Sequence, residues 1–366
     1  MKILFLFFLV LVNVYAMEND KTFKFVPIVS SNPTSGTGAG GLGVMMYEAD
    51  SSSSPSQAIL MAQYTDTDSY NIFAINKMFF KSDKWQSNTM VGYIYNNSSF
   101  DISTSGFDLP YIPGIPEILT PNYEVKIFSA VENLMYMVKD NFYVGGHIFY
   151  VGQDFNAINP EGEWFLRQNG IESVNRAGIG LALSYDTRSK DEKFYPKNAI
   201  YANLMYSAFP EFLGSETYFS SVMLNARYYK SFGKEDDVLA LQYLGQFCSE
   251  DTPDGALSAL GARNIIRGFP IGKYKTRYMN AIQSEYRYTI KNTSFRIAPF
   301  VGYANLSGGS KGTQNGDRDD NNGDYYSGGI GVHYILAKKY QLDYRIDVAY
   351  SSDEETSVYA SINQAF

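Results

Sequence analysis

Reactive side chains are scarce in this chain, and their placement limits the chemistry open to it. There are two histidines, His147 and His333, and one cysteine, Cys248. A hydrolase built on a side-chain nucleophile needs a base beside that nucleophile. Neither histidine has a recognisable nucleophile motif nearby, so no catalytic residue is assigned and no enzymatic activity is expected. A single cysteine excludes an internal disulfide framework and any Cys-x-x-Cys metal site. The acidic run from Asp317 to Asp324 is spaced somewhat like a calcium loop. Its glycine, Gly323, falls one place late, and Gly328 stands where such a loop ends in Glu. It reads as an acidic outer loop, and neither a metal nor a cofactor is expected. With 30 Lys+Arg against 38 Asp+Glu the net charge is −8. That leaves no basic excess for neutralising phosphates, which argues against a nucleic-acid partner.

What remains is a composition rich in strand formers: 31 Tyr, 25 Phe and 31 Gly, with only 19% charged residues. Residues 1–16 open with Lys2, continue through an apolar run from Ile3 to Val12, and end on Val14-Tyr15-Ala16. This is the pattern of a secretory signal peptide, with the mature chain expected over 17–366. Its apolar core is about half of the ~20 residues a spanning helix needs, and no later stretch approaches that length.

The rest alternates. Over 340–350, Tyr340, Leu342, Tyr344, Ile346 and Val348 share one face, opposite Gln341, Asp343, Arg345 and Asp347. Period-two alternation of this kind marks a strand with one apolar and one polar face. The pattern recurs at 141–151, 237–248 and 293–303. Strands are expected near 22–32, 36–49, 57–66, 69–81, 84–97, 123–138, 141–154, 174–186, 197–209, 216–230, 237–249, 276–290, 293–305, 326–336, 340–350 and 356–366, sixteen in all. A soluble sandwich also alternates, but it has no reason to sort its loops. Here the longest connections, 98–122, 155–173, 250–275 and 306–325, all follow odd-numbered strands. With the N-terminus periplasmic, every long loop lies outside and every short turn inside. Outer-membrane barrels show that asymmetry, and they carry aromatic girdles of Tyr and Phe at strand ends. The expected fold is therefore all-β: a transmembrane antiparallel β-barrel, located in the cell outer membrane.

Three stretches then stand out. Residues 259–270 read Ala-Leu-Gly-Ala-Arg-Asn-Ile-Ile-Arg-Gly-Phe-Pro, with Arg267, Gly268 and Phe269 at their centre. Residues 180–188 read Gly-Leu-Ala-Leu-Ser-Tyr-Asp-Thr-Arg, ending on Asp186, Thr187 and Arg188 in an expected periplasmic turn. Residues 343–350 read Asp-Tyr-Arg-Ile-Asp-Val-Ala-Tyr, and the chain ends in Ala365-Phe366. In this order the set resembles the BamA/TamA-like outer-membrane superfamily, the bacterial surface antigen family. The N-terminal Pro27-Ile28-Val29 and the glycines of 36–43 are similar to a short branch that lacks periplasmic POTRA domains.

The resemblance implies a barrel whose long loop folds inward, with Arg267 contacting acids on the inner wall. Parity puts Glu285 on a polar face with Gln283 and Arg287, matching the family's inner-wall glutamate. The family often supplies a second acid in a Phe-x-Asp-x-Gly pattern. Here Phe300-Val301-Gly302 has none, which leaves Asp343 or Asp347 as substitutes. Phe366 resembles the terminal aromatic read by outer-membrane insertion machinery. The implied partners are outer-membrane lipids, lipopolysaccharide and that machinery during the chain's own assembly; no client protein is specified. The implied function is help with protein insertion or translocation, the alternative being a passive channel or structural, surface-exposed barrel.

Overall fold

The computed structural model describes residues 22–32, 36–99, 102–103, 118–168, 172–232, 236–261, 265–269, 274–312, 316–318 and 321–366. The signal peptide expected at 1–16, Pro110, Pro113, Pro116, Pro270, Asp319 and Asp320 lie outside the described residues. A single 16-stranded sheet runs in sequence order with every neighbour antiparallel. Its strands are β1 (Thr22–Asn32), β2 (Gly36–Tyr47), β3 (Ser56–Thr65), β4 (Tyr70–Phe80), β5 (Trp85–Ser99), β6 (Asn122–Lys139), β7 (Phe142–Ala157) and β8 (Val174–Asp186). The second half comprises β9 (Ala199–Phe209), β10 (Phe219–Ser231), β11 (Val238–Cys248), β12 (Tyr278–Thr289), β13 (Phe295–Ser307), β14 (Gly323–Ala337), β15 (Leu342–Ser351) and β16 (Thr356–Ile362). No described helix is long and apolar enough to cross a membrane.

The expected alternation holds, with the usual inside and outside exchanged. Ile148 (61% exposed), Leu181 (69%), Val301 (63%) and Val358 (68%) point outward. Arg287, Arg296, Arg345, Glu285, Asp343 and Asp347, by contrast, are fully buried on the inner face. Leaving one large apolar side chain in water forfeits about 1.5–3 kcal/mol, and dozens of them line the outer wall. Such a wall suits hydrocarbon, where strands must also satisfy every backbone group within the sheet. Aromatic rings bound this apolar band at both ends. On β6, Tyr136 meets Trp85 of β5 at 4.8 Å at one end, and Phe128 meets Tyr150 of β7 at 6.0 Å at the other.

Connections sort by length as expected. The long segments 100–121, 158–173, 249–277 and 308–322 share one end of the barrel with 66–69, 210–218 and 352–355. The opposite end holds 48–55, 81–84, 140–141, 187–198, 232–237, 290–294 and 338–341. Two features differ from the reading of the sequence. The long connection after β7 contains a helix, α1 (Pro160–Gln168). Its N-terminus is capped by Asn159, whose Oδ1 accepts from the Gly162 amide at 2.8 Å, and Pro at the first helical position sacrifices no hydrogen bond. The last strand also ends early, at Ile362 rather than 366. Asn363 takes φ +68°, a left-handed turn that Asn tolerates better than most residues, and the chain leaves the sheet there. The Asn363 and Gln57 side chains then exchange two hydrogen bonds, 3.2 and 2.9 Å, linking β3 to the chain just beyond β16. Val44, Met46, Leu342 and Ile362 pack beside them, so the two ends of the sheet meet along the inner wall.

The turn 48–55 is fixed by Asp50. Its carboxylate accepts from the Ser52 amide and hydroxyl (3.0 and 2.7 Å), the Ser53 hydroxyl (2.7 Å) and the Lys81 amide (2.7 Å). Slight burial raises its pKa, and these donors outweigh that effect, holding it at about 2. A depressed carboxyl contributes stability above its unfolded value and loses it as pH falls through the folded one. Hydrogen exchange should therefore find the Lys81 amide protected from about pH 7 to about pH 4, with protection fading only toward pH 2. Loss already near pH 4 would contradict this.

Candidate functional site

The loop 249–277 turns back into the barrel. A two-residue ladder, Ser258–Ala259 with Lys275–Thr276, anchors its base. At its tip Ile265, Ile266, Arg267 and Phe269 are all buried. Two residues with positive φ shape that tip. Gly268 has φ +115°, which a side chain would strain, and Ile266 takes φ +51°, a sparsely populated conformation for a β-branched residue. A strained residue persists only where its surroundings over-determine it, and here they do. The Ile266 side chain fills space left by Gly302 of β13, where an added Cβ would come within 2.7 Å of Ile266 Cδ1.

That packing explains the missing acid in Phe300-Val301-Gly302: a carboxylate at Gly302 would occupy the seat of Ile266. Asp347 on β15 takes its place. The Arg267 guanidinium donates Nη2–H to Glu285 Oε2 at 2.7 Å and Nη1–H to Asp347 Oδ2 at 2.8 Å. It also lies 3.5 Å from the centre of the Phe300 ring. One planar group thus bridges β12, β13 and β15, using the fixed fork that lysine lacks. The neighbouring Gly268 amide donates to Tyr359 Oη of β16 at 2.8 Å. Phe269 meets Tyr274 and Tyr325 edge-on at 5.7 and 5.6 Å. Leu244, Met279, Ala281, Ala304 and Leu306 complete its apolar nest.

Each acid that Arg267 contacts holds a second cation. Arg287 Nε donates to Glu285 Oε1 at 2.8 Å, and Arg345 pairs with Asp347. Asp343, the other substitute weighed, is engaged by Arg296 and by Gln364 at 2.7 Å and does not touch Arg267. His333 sits between Asp343 and Asp347, 3.7 and 3.6 Å away. Buried ion networks contribute little net stability, but removing one member leaves its partner desolvated and uncompensated. This network fixes where the loop tip sits.

The remaining motif residues lie at the opposite end of the barrel. Asp186 binds Arg188 through two hydrogen bonds of 2.9 Å and Lys193 Nζ at 3.1 Å. Thr187 clamps the start of β9: its amide reaches Ile200 O at 2.9 Å and its hydroxyl takes the Ile200 amide at 2.8 Å. Phe366 is buried past the end of β16, not displayed on a strand. It lies among Tyr195, Tyr229, Val238 and Ala240, and its main-chain oxygen accepts from Arg287 Nη2 at 2.8 Å. Sequence reasoning missed one contact, His147 Nε2 with Ser207 Oγ at 2.9 Å. The two residues lie on β7 and β9, so only parity hints at the meeting. His147 Nδ1 has no hydrogen-bond partner among the described residues, so the third member of a catalytic triad is not in place there.

Fold and site together define an outer-membrane β-barrel with a long loop tethered to its inner wall. The profile of the Omp85 superfamily domain matches residues 56–366, and the chain belongs to the Omp85 superfamily. Among solved structures it is similar to BamA from Haemophilus ducreyi lacking POTRA domains 1-3, at 13% identity and TM-score 0.55 over 94% of this chain and 70% of that one. It is also similar to CdiB from Acinetobacter baumannii, at 11% identity and TM-score 0.62 over 94% of this chain and 59% of that one. CdiB from Escherichia coli gives 10% identity and TM-score 0.65, over 94% and 63% of the two chains. The chain thus spans about three fifths of either CdiB. No curated protein matches it.

Proposed function

We propose that this barrel aids the insertion or translocation of polypeptides at the outer membrane, with the 249–277 loop as an internal element that holds the lumen and the end of the sheet together. One observation carries the reading. The loop tip binds the central wall through Glu285 and Asp347, and the last strand through Tyr359. Moving the loop would therefore loosen β16, which offers only 7 residues for pairing at the edge of the sheet. Similarity to BamA and CdiB barrels supports the same role. In this reading Phe366 is recognised by insertion machinery before folding, since the finished barrel buries it. Outer-membrane lipids and lipopolysaccharide surround the apolar band.

Purified barrel in planar bilayers should show little steady conductance, and Arg267→Ala should raise it severalfold by freeing the tip. Large, stable conductance unchanged by that substitution would favour a passive channel. Depletion from the native cell that leaves other barrels assembling normally would remove the insertion role.

A further inference from the structure

Among the described residues, the outward face between the two aromatic rows carries one charged side chain, Glu132. Along β6 the outward positions read Tyr136, Leu134, Glu132, Ala130 and Phe128, so Glu132 lies midway between the rings. At ~3.3 Å per residue each ring is roughly 13 Å away along the strand, too far for a headgroup to reach. Outward direction follows from its neighbours: Leu134 and Tyr136 are exposed, as is its cross-strand partner Ile148, while Met135 and His147 face inward. The acid is built into a polar ribbon. Ser87 Oγ donates to Glu132 Oε1 at 2.7 Å, and Thr89 Oγ1 is hydrogen-bonded to Oε2. Thr89 pairs with Asn76, whose Oδ1 accepts from Tyr47 Oη at 2.6 Å.

Beside the acid is a depression of about 570 Å³, floored by Gly146 and walled by Leu134, Ile148, Ile179 and Leu181. An ionisable group facing hydrocarbon is unfavourable and marks a functional site by default. The Ser87 and Thr89 hydroxyls leave further acceptor positions on the carboxylate, and hydrocarbon cannot fill them. Among the described residues, a second copy of this chain would bring only another Glu132 to that depth. Charge complementarity therefore selects a different protein.

We propose that Glu132 and the adjoining depression form an intramembrane docking site for a membrane-spanning segment of another protein that presents a lysine or arginine at mid-depth. The depression receives the segment's apolar surface, and the cation completes the carboxylate.

The test uses the whole barrel, dye-labelled on an outer loop, in phosphatidylcholine vesicles. The probe is a synthetic spanning helix of Leu and Ala with one central Lys; the control carries Leu at that place. Energy transfer should show the Lys peptide associating about tenfold more tightly than the control. The preference should vanish in Glu132→Gln and in Glu132→Leu, the second of which suits lipid and keeps the test valid if the first folds poorly. Equal association of both peptides with the unaltered barrel overturns the proposal and leaves lipid as the occupant. A preference that survives both substitutions overturns it as well. Self-association of the barrel that disappears in Glu132→Gln replaces it with an interface between copies.

Discussion

Arg267→Ala is expected to lower the stability of the purified barrel by about 3 kcal/mol, the lower end of the range for breaking a buried ion pair. The lower end applies because each abandoned acid keeps a cation, Arg287 on Glu285 and Arg345 on Asp347. Glu285→Gln should cost a similar amount, since Arg267 then retains Asp347 alone. The informative quantity is the cycle. If the side chains are partners, the double substitution costs little more than either single one. Thermal unfolding in detergent, followed as the shift from fast to slow gel migration, measures all four species. Strictly additive losses would mean that the two residues act separately and that the tether is misassigned.

The second large effect belongs to the other end of the barrel. Asp186→Asn should destabilise by about 3–5 kcal/mol, because Arg188 and Lys193 are buried and share this one carboxylate. Arg188 would keep its place over the Tyr201 ring, 4.5 Å away, but would lose its counter-charge. The damage should be local as well as global. Limited proteolysis of the variant should cut within 187–198 while the loop tip at 265–269 stays protected. An unchanged unfolding temperature would show that the cluster contributes nothing net.

The legible parts of this molecule are those that a solvent forces to be regular. Hydrocarbon outside and a polar interior impose alternation on every strand, so the sixteen strands and the inward face of Glu285 follow from parity alone. Asp347 was visible as one of two inward-facing candidates, but nothing in the sequence chose it over Asp343, because 80 residues separate it from Arg267 and only the curl of the sheet joins them. The tail misled for a related reason. Val358, Ile362 and Phe366 keep the strand period, and the break lies in one backbone dihedral at Asn363. The helix at 160–168 did leave signals, Asn159 then Pro160, inside a segment whose length spoke for loop. The His147 and Ser207 contact crosses an intervening strand and has no local signature.

The seat of Arg267 has two jaws. Glu285 comes from β12, the fifth strand from the end of the sheet, and Asp347 from β15, beside the final strand. A half-finished ribbon presents only the first jaw, so a loop that grips both has, in effect, verified that the wall was completed. Full docking of the tip thus requires both strands to stand in the wall.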